Sequence, residues 1–416
     1  MRRLLFTIAV LGMLFPTWGR QEPGTVARLM QDPTIKTALE AVIANEPSII
    51  EEQVRLSEIP APLFKENARA ASVMRLFAES GLQDVRIDKA GNVIGMRPGL
   101  APRPNLVLAG HLDTVFPDGT NVKVTRQGNL LKGPGIGDDA RGLAVLLAVA
   151  RALHQAKVRT PGTITFVADV GEEGLGDLRG MKQLFQETLK DRIDRFVSVD
   201  GTGLGVTNVG VGSYRYRVTY LGPGGHSYGA FGLANPIHAL GRAIALIAEF
   251  RVPANPKTTF NVGRIGGGTS INSIAGEAWM EMDMRSADMQ AIRNVESGFL
   301  KSVDQALAEE NARWGDRGKL SVRKEKVGDR PAGSTPENSV IVQTALAATR
   351  ALGFTARLGE GSTDANFPMS LGIPAITIGG GGAGSGAHSL GESFDTSNSW
   401  QGSQRALLLA VALAQK

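Results

Sequence analysis

The chain has 416 residues, 42% hydrophobic and 20% charged, a globular balance that excludes a disordered protein and leaves room for two domains. The net charge of +5 is spread over mixed acids and bases, with no basic stripe of the kind a nucleic-acid partner requires. Cysteine is absent, which excludes thiolate metal sites, catalytic cysteines and disulfides and suits either redox compartment.

The first element is a targeting segment. Met1-Arg2-Arg3 gives a positive start, Leu4 to Phe15 is an apolar run too short to span a bilayer comfortably, and Thr17 and Gly19 offer small residues for a signal peptidase. Residues 1–19 are therefore expected to be a signal peptide, with the body exported to the periplasm or secreted; an uncleaved membrane anchor is the alternative. No later segment reaches the ~18 consecutive apolar residues of a spanning helix.

Residues from about 25 to 90 read as helical, with apolar spacings of three or four over Thr34–Ala44 and Glu66–Glu79. Four short β-branched runs follow, at Asn105–Ala109, Thr163–Ala168, Arg195–Val199 and Pro374–Ile378, each bounded by glycine or polar residues as a buried strand is. Gly142–Ala156 is apolar nearly all round and reads as a buried helix. This alternation predicts an α/β fold: a mostly parallel sheet with helices on both faces, over residues 20–210 and 326–416. Between them, Ser213–Tyr220 and Ala278–Arg285 alternate with period two, and Pro236–Phe250 and Ala287–Ala308 read as amphipathic helices. A smaller α+β lid or dimerisation domain is expected over 211–325, with the sheet resuming from Val340.

Each of the four runs leads into a histidine or an acid, at the strand end where open α/β sheets bind ligands. His111-x-Asp113 puts two side chains on one side of an extended segment, so that one can bind a metal while the other orients it. Asp138-Asp139 precedes the buried helix, where one carboxylate can bridge two cations and the other cap the helix. Glu172-Glu173 is a pair of adjacent acids that repel unless cations sit nearby; one can ligate while the other moves a proton. With Asp200 and His388 the set becomes two imidazoles and three carboxylates, one nitrogen and two oxygens per metal, which suits zinc, with cobalt or manganese as alternatives. Of the five histidines, His154 and His238 fall inside predicted helices and read as surface or packing residues.

The segments GHLDTV (110–115), GPGIGDDARGLA (133–144), GEEGLG (171–176), SVD (198–200), GPGGHSYG (222–229), GGGTSINSIAGEAWMEMDMRS (266–286) and GSGAHSLGE (384–392) run through nearly the whole chain beyond residue 19. In this order they resemble the dinuclear metallopeptidase and deacylase family of carboxypeptidase G, peptidase T, succinyl-diaminopimelate desuccinylase, acetylornithine deacetylase and aminoacylase. The resemblance implies amide hydrolysis in small peptides or N-acyl amino acids, with two divalent ions held by His111, Asp138, Glu173, Asp200 and His388. It implies Asp138 as the bridge, Asp113 as a carboxylate behind His111, and Glu172 as general base. In the insert it implies His226 as a group holding the substrate carbonyl or oxyanion, often across a homodimer interface, and Asn272 and Arg285 as carboxylate-recognising groups. At Ala140-Arg141, where relatives often carry Lys-Gly, little effect is expected because no ligand is touched.

Two rivals come from other classes. Gly225-His-Ser227-Tyr-Gly229 matches a nucleophile elbow, and Ser227, Asp364 and His388 follow in the order of a serine esterase. The strand before it alternates rather than being buried, and the reading leaves four acids without a task. The second rival is a non-catalytic peptide-binding module on the same fold, which would be expected to lack a ligand or the base. Gly133-x-Gly135-x-Gly137 lacks the Lys-Ser/Thr of a phosphate loop.

Overall fold

The computed structural model describes residues 24–315 and 317–415; the expected signal segment lies outside them. Among the described residues no helix is long and apolar enough to cross a membrane. A nine-stranded sheet forms the centre of the fold. Its middle strands are Thr163–Asp169, Asn105–His111, Arg195–Val199 and Ala375–Ile378, neighbours in that order and all parallel. Antiparallel pairs extend it: Val93–Arg97 and Gln83–Ile87 on one side, Val206–Gly210 and Gly333–Ser334 on the other.

The middle strands are buried on both faces because helices cover both. Side-chain period two divides them between two cores. Leu106 and Leu108 pack with the helices Pro33–Ser57, Ala140–Gln155 and Trp400–Leu413. Val107 and Ala109 face the other way, toward Met181, Leu184, Phe185 and Phe367. The apolar helix Ala140–Gln155 is buried along almost its whole length, as its composition demands.

A second sheet of four antiparallel strands runs in the order Thr258–Gly267, Glu277–Ser286, Gly212–Leu221, Ser321–Arg330. Its alternation is literal: Ala278, Met280, Met282 and Met284 are buried under the helices Pro236–Ala248 and Met289–Arg313 while their neighbours face outward.

Three details differ from the expectations. The helical reading to about residue 90 overruns: the helix Asn67–Glu79 ends before Gly81, whose φ is +80°, and Gln83–Ile87 and Val93–Arg97 are strands. The insert sheet continues to Arg330; Ser321–Arg330 is a mostly exposed, charge-rich edge strand without an apolar rhythm to mark its end. The central sheet resumes at Gly333–Ser334, a pair of residues too short to register as a strand in sequence, and Val340 begins a helix.

Arg141 also departs from expectation. It touches no ligand, yet it is fully buried, its guanidinium 3.1 Å from Glu46 and donating to the carbonyls of Gly380 (2.8 Å) and Ser399 (2.6 Å). It therefore ties the helix Pro33–Ser57 to the glycine turn after the last parallel strand. Arg141→Met should leave Glu46 buried without its partner and lower unfolding stability by roughly 3–5 kcal/mol, measured by urea denaturation; a loss below about 1 kcal/mol would show that the pair is not a structural tie.

Candidate metal centre

The parallel strands bring their carboxyl ends to one edge, and the ligand candidates leave the chain there. His111 ends its strand; its Nδ1 lies 3.0 Å from the Asp113 carbonyl, to which it donates, leaving Nε2 free to face the site. Asp138 stands at the end of the glycine-rich turn 133–137. That turn wraps around the carboxylate of Glu392, which accepts from Gly135 N (2.9 Å), Gly137 N (2.8 Å) and Asp138 N (3.0 Å). Gly135 has φ +76°, the left-handed conformation that glycine adopts without a steric cost. Asp139 caps the following helix through Gly142 N (2.9 Å) and also accepts from His111 N (3.0 Å), so one buried carboxylate fastens helix to strand. Gly142 is required there: a Cβ would lie 2.3 Å from the Val199 carbonyl oxygen.

These elements place both imidazoles on one carboxylate. His111 Nε2 is 3.0 Å from Asp138 Oδ1, and His388 Nε2 is 3.0 Å from Asp138 Oδ2. His388 Nε2 is also 3.0 Å from Glu173 Oε1, and His111 Nε2 is 4.0 Å from Asp200 Oδ1. His388 has φ +64°, a strained conformation for a histidine that turns its ring in toward the cluster. Three groups of possible donors result, each with its donor atoms within 4.8 Å of one another: His111/Asp138/Asp200 and Asp138/Glu173/His388, which share Asp138, and His111/Glu172/Glu173. One nitrogen and two carboxylate oxygens per group, joined by a shared carboxylate, fit a pair of divalent cations.

The electrostatics point the same way. Burial, then the charge of Asp138, pushes the Asp200 carboxyl well above its ordinary value, and burial does the same to Asp139. Burial would raise Asp138 too, but hydrogen bonds from His111 and His388 outweigh it and hold Asp138 below the usual carboxylate range. Hydrogen bonds to Asp138 and Glu173 raise His388 to about 10; for His111, burial opposes protonation but the bond to Asp138 and the charge of Asp139 prevail and lift it well above its usual value. Such a crowd of acids calls for positive charge, which a pair of divalent cations would supply.

Asp113 lies behind His111, which it meets through its main-chain carbonyl. Its carboxylate accepts from Gly171 N (2.6 Å), Glu172 N (3.3 Å) and Glu173 N (2.8 Å), so it shapes the turn carrying the acid pair. Arg69, fully buried, donates to Leu112 O (2.8 Å) and faces the charges of Asp113 and Asp139; burial lowers its pKa to about 10. Arg330 Nη1 is 2.8 Å from Glu172 Oε1. Arg69 and Arg330 carried no motif in the sequence. Glu392 closes the GSGAHSLGE segment four residues after His388, a spacing that could have drawn attention to it.

The insert residues stand apart. His226 is exposed, with Nδ1 accepting from Tyr228 N (3.3 Å) and Gly229 N (3.2 Å). Asn272 lies beside it, its main-chain carbonyl accepting from Ser227 N (2.9 Å), and Arg285, part of the second sheet, donates from Nε to Asp283 (2.7 Å). Among the described residues no hydrogen bond or ion pair joins these three to the five ligand candidates. The serine constellation is not assembled: His388 meets Asp138 and Glu173, Ser227 lies on the exposed insert turn, and Asp364 is fully buried beside Asp169.

A parallel α/β sheet with this donor set at its strand ends defines a metallohydrolase. The sequence profile of Peptidase family M20/M25/M40 matches residues 107–411, and the chain belongs to that family. It is 29% identical over 358 residues to carboxypeptidase G2 of Pseudomonas sp. (strain RS-16), covering 81% of this chain and 82% of that protein. The fold is similar to that of a tripeptidase from Staphylococcus aureus, with a TM-score of 0.72 at 23% identity over 89% of this chain and 99% of that one. It is also similar to a dinuclear metal-binding M20 peptidase from Bacillus subtilis, with a TM-score of 0.64 at 17% identity over 88% and 98%. The protein is thus a metal-dependent hydrolase of amide bonds in peptides or N-acyl amino acids, with a site for two metal ions.

A ligating imidazole must be neutral, and the hydrogen bonds to Asp138 hold both rings above their ordinary pKa, so metal and protons compete for them. The sign follows: apparent metal affinity should rise with pH up to about 10, the value to which His388 is lifted, and calorimetry in buffers of different ionisation enthalpy should report protons released. A pH-independent affinity would contradict the assignment of His111 and His388 as ligands.

Proposed function

We propose that the protein is an exported zinc exopeptidase or deacylase in which Glu172 is the general base. The observation that carries this is the division of labour in the acid pair. Glu173 belongs to the donor group with Asp138 and His388, whereas Glu172 belongs to neither group sharing Asp138, although its oxygen lies within 4.8 Å of donor atoms of His111 and Glu173. A carboxylate beside the ligands and outside both groups is placed to move protons.

Two divalent cations, when bound, polarise the amide carbonyl and lower the pKa of a water toward ~7. Glu172 accepts the proton of the attacking water on a carboxylate oxygen and returns it to the leaving nitrogen. His111, Asp138, Glu173, Asp200 and His388 would hold the ions, and Asp113 fixes the Glu172-Glu173 turn. Two imidazoles with three carboxylates favour zinc, with cobalt or manganese as alternatives. Asn272 and Arg285 bind a free α-carboxylate on the substrate, and His226 stabilises the oxyanion. The exposed position of His226 suits a group delivered to a second copy of the chain. Thr258–Gly267, an edge strand with exposed Ile265, and the exposed Ile271 beyond it suit a homodimer interface. Carboxypeptidase and tripeptidase relatives support peptide substrates, and residues 1–19 support export.

Glu172→Gln should keep two metals per chain by elemental analysis yet lose about 10²–10⁴-fold in kcat; wild-type turnover in the fully loaded variant would remove Glu172 from this role. Arg285→Ala should raise KM for substrates with a free carboxylate and leave kcat nearly unchanged. An equal KM for free and amidated substrates in the wild-type enzyme would contradict the carboxylate site.

A further inference from the structure

Every polar link from the second sheet to the acid-bearing segment lands within residues 172–182. Arg330, the last residue of the strand Ser321–Arg330, is 3% exposed and donates to Glu172 twice, through Nη1 to Oε1 at 2.8 Å and through Nη2 to the Glu172 carbonyl. Asp329 N donates to Asp177 (2.7 Å), and Lys182 bridges Asp177 (2.6 Å) and the Asp329 carbonyl (3.2 Å). From the neighbouring strand, Arg215 donates to the Gly174 carbonyl and pairs with Asp283 (3.0 Å), the same residue that holds Arg285.

The sheet register orders these groups. Ser213 pairs with Arg285 on one side and with Arg330 on the other, so all three stand in one row across three strands. Directly paired residues point to the same face. Strands are about 4.8 Å apart, so the two arginine backbones are separated by about 10 Å. The guanidinium of Arg330 is buried, and a buried cation demands a countercharge; Glu172 supplies it, and two donors on one residue leave its side chain little freedom.

We propose that Arg330 is a positioning residue for Glu172: the insert's last strand sets the carboxylate of the general base, in register with Arg285, through this paired contact. The proposal rests on the reading of Glu172 as the base. The insert would then contribute to turnover as part of the catalytic framework as well as a cover for the substrate. A fixed base is worth much, since a misplacement of about 1 Å costs on the order of 100-fold in rate.

The test is a mutant cycle on the zinc-loaded full chain, with the best-cleaved member of a set of dipeptides and N-acyl amino acids as substrate. Arg330→Gln and Arg330→Lys are made alone and in the Glu172→Gln background, and metal content, kcat and KM are measured. In Arg330→Gln, kcat should fall about 100-fold with KM within about two-fold and two metals retained. Lysine should recover part of the loss. In the Glu172→Gln background neither substitution should lower kcat further, because the residue they act through is gone. A rise in KM at unchanged kcat would overturn the proposal by making Arg330 a substrate contact, and multiplying losses in the double variants would show action independent of Glu172. Should Arg330→Gln not fold, Arg330→Lys carries the same comparison across both backgrounds. Full turnover in Glu172→Gln alone would remove the base reading itself, and that single variant reports it whatever the Arg330 variants do.

Discussion

The site depends on one carboxylate that two imidazoles share. Asp138 stands beside Asp113, Asp139 and Asp200, whose carboxyls burial drives toward the neutral form. Asp138, by contrast, is held ionised, because His111 and His388 each place a ring nitrogen 3.0 Å from one of its oxygens. Such a cluster is unstable as a set of free anions and stable around cations, and the imidazole pair defines where those cations sit. Metal binding and the ionisation of the acids are one equilibrium here, not two.

The backbone does much of the holding. Asp113 and Glu392 play matched parts: each is buried, each accepts three main-chain N–H groups, and each thereby shapes a turn that presents a ligand. Asp113 shapes the turn carrying Glu173; Glu392 shapes the turn carrying Asp138. A carboxylate gathering three N–H groups is a strong local organiser, because its charge is met by dipoles that the fold has already fixed. Both turns therefore keep their form without relying on the ions they serve.

Candidate ligands were legible where they follow a short β-branched run directly, as His111 and Asp200 do, because position at a strand end is information about space as well as chemistry. Asn105–His111 and Thr163–Asp169 pair in parallel with His111 opposite Asp169, so the site begins where those two runs end. The α/β class followed from the same runs and from the all-apolar helix. What stayed hidden lacks periodicity or lies beyond local pattern. Ser321–Arg330 reads as a charged stretch because an edge strand has little buried surface to pattern it. The orientation of the Asp113 carboxylate depends on where the turn at 171–173 lies, which spacing alone does not specify. Arg69 and Arg141 belong to helices and carry no motif in sequence; tertiary packing alone encloses them.

Those two arginines, with Arg330, show why counter-charges are harder to find in sequence than ligands. A ligand must leave a strand end at a fixed place, whereas a balancing cation can enter from any element that reaches the cluster. Arg69 arrives from an N-terminal helix, Arg330 from the far end of the insert. Both are nearly or wholly buried and donate to groups at the centre: Arg69 to the Leu112 carbonyl between His111 and Asp113, Arg330 to Glu172. An anionic site that must stay charged when buried recruits cations from distant segments, and each recruited cation binds its segment to the site. By that route the insert, which supplies no ligand to either donor group, is tied to the acid pair, and its position becomes a condition on how Glu172 is held.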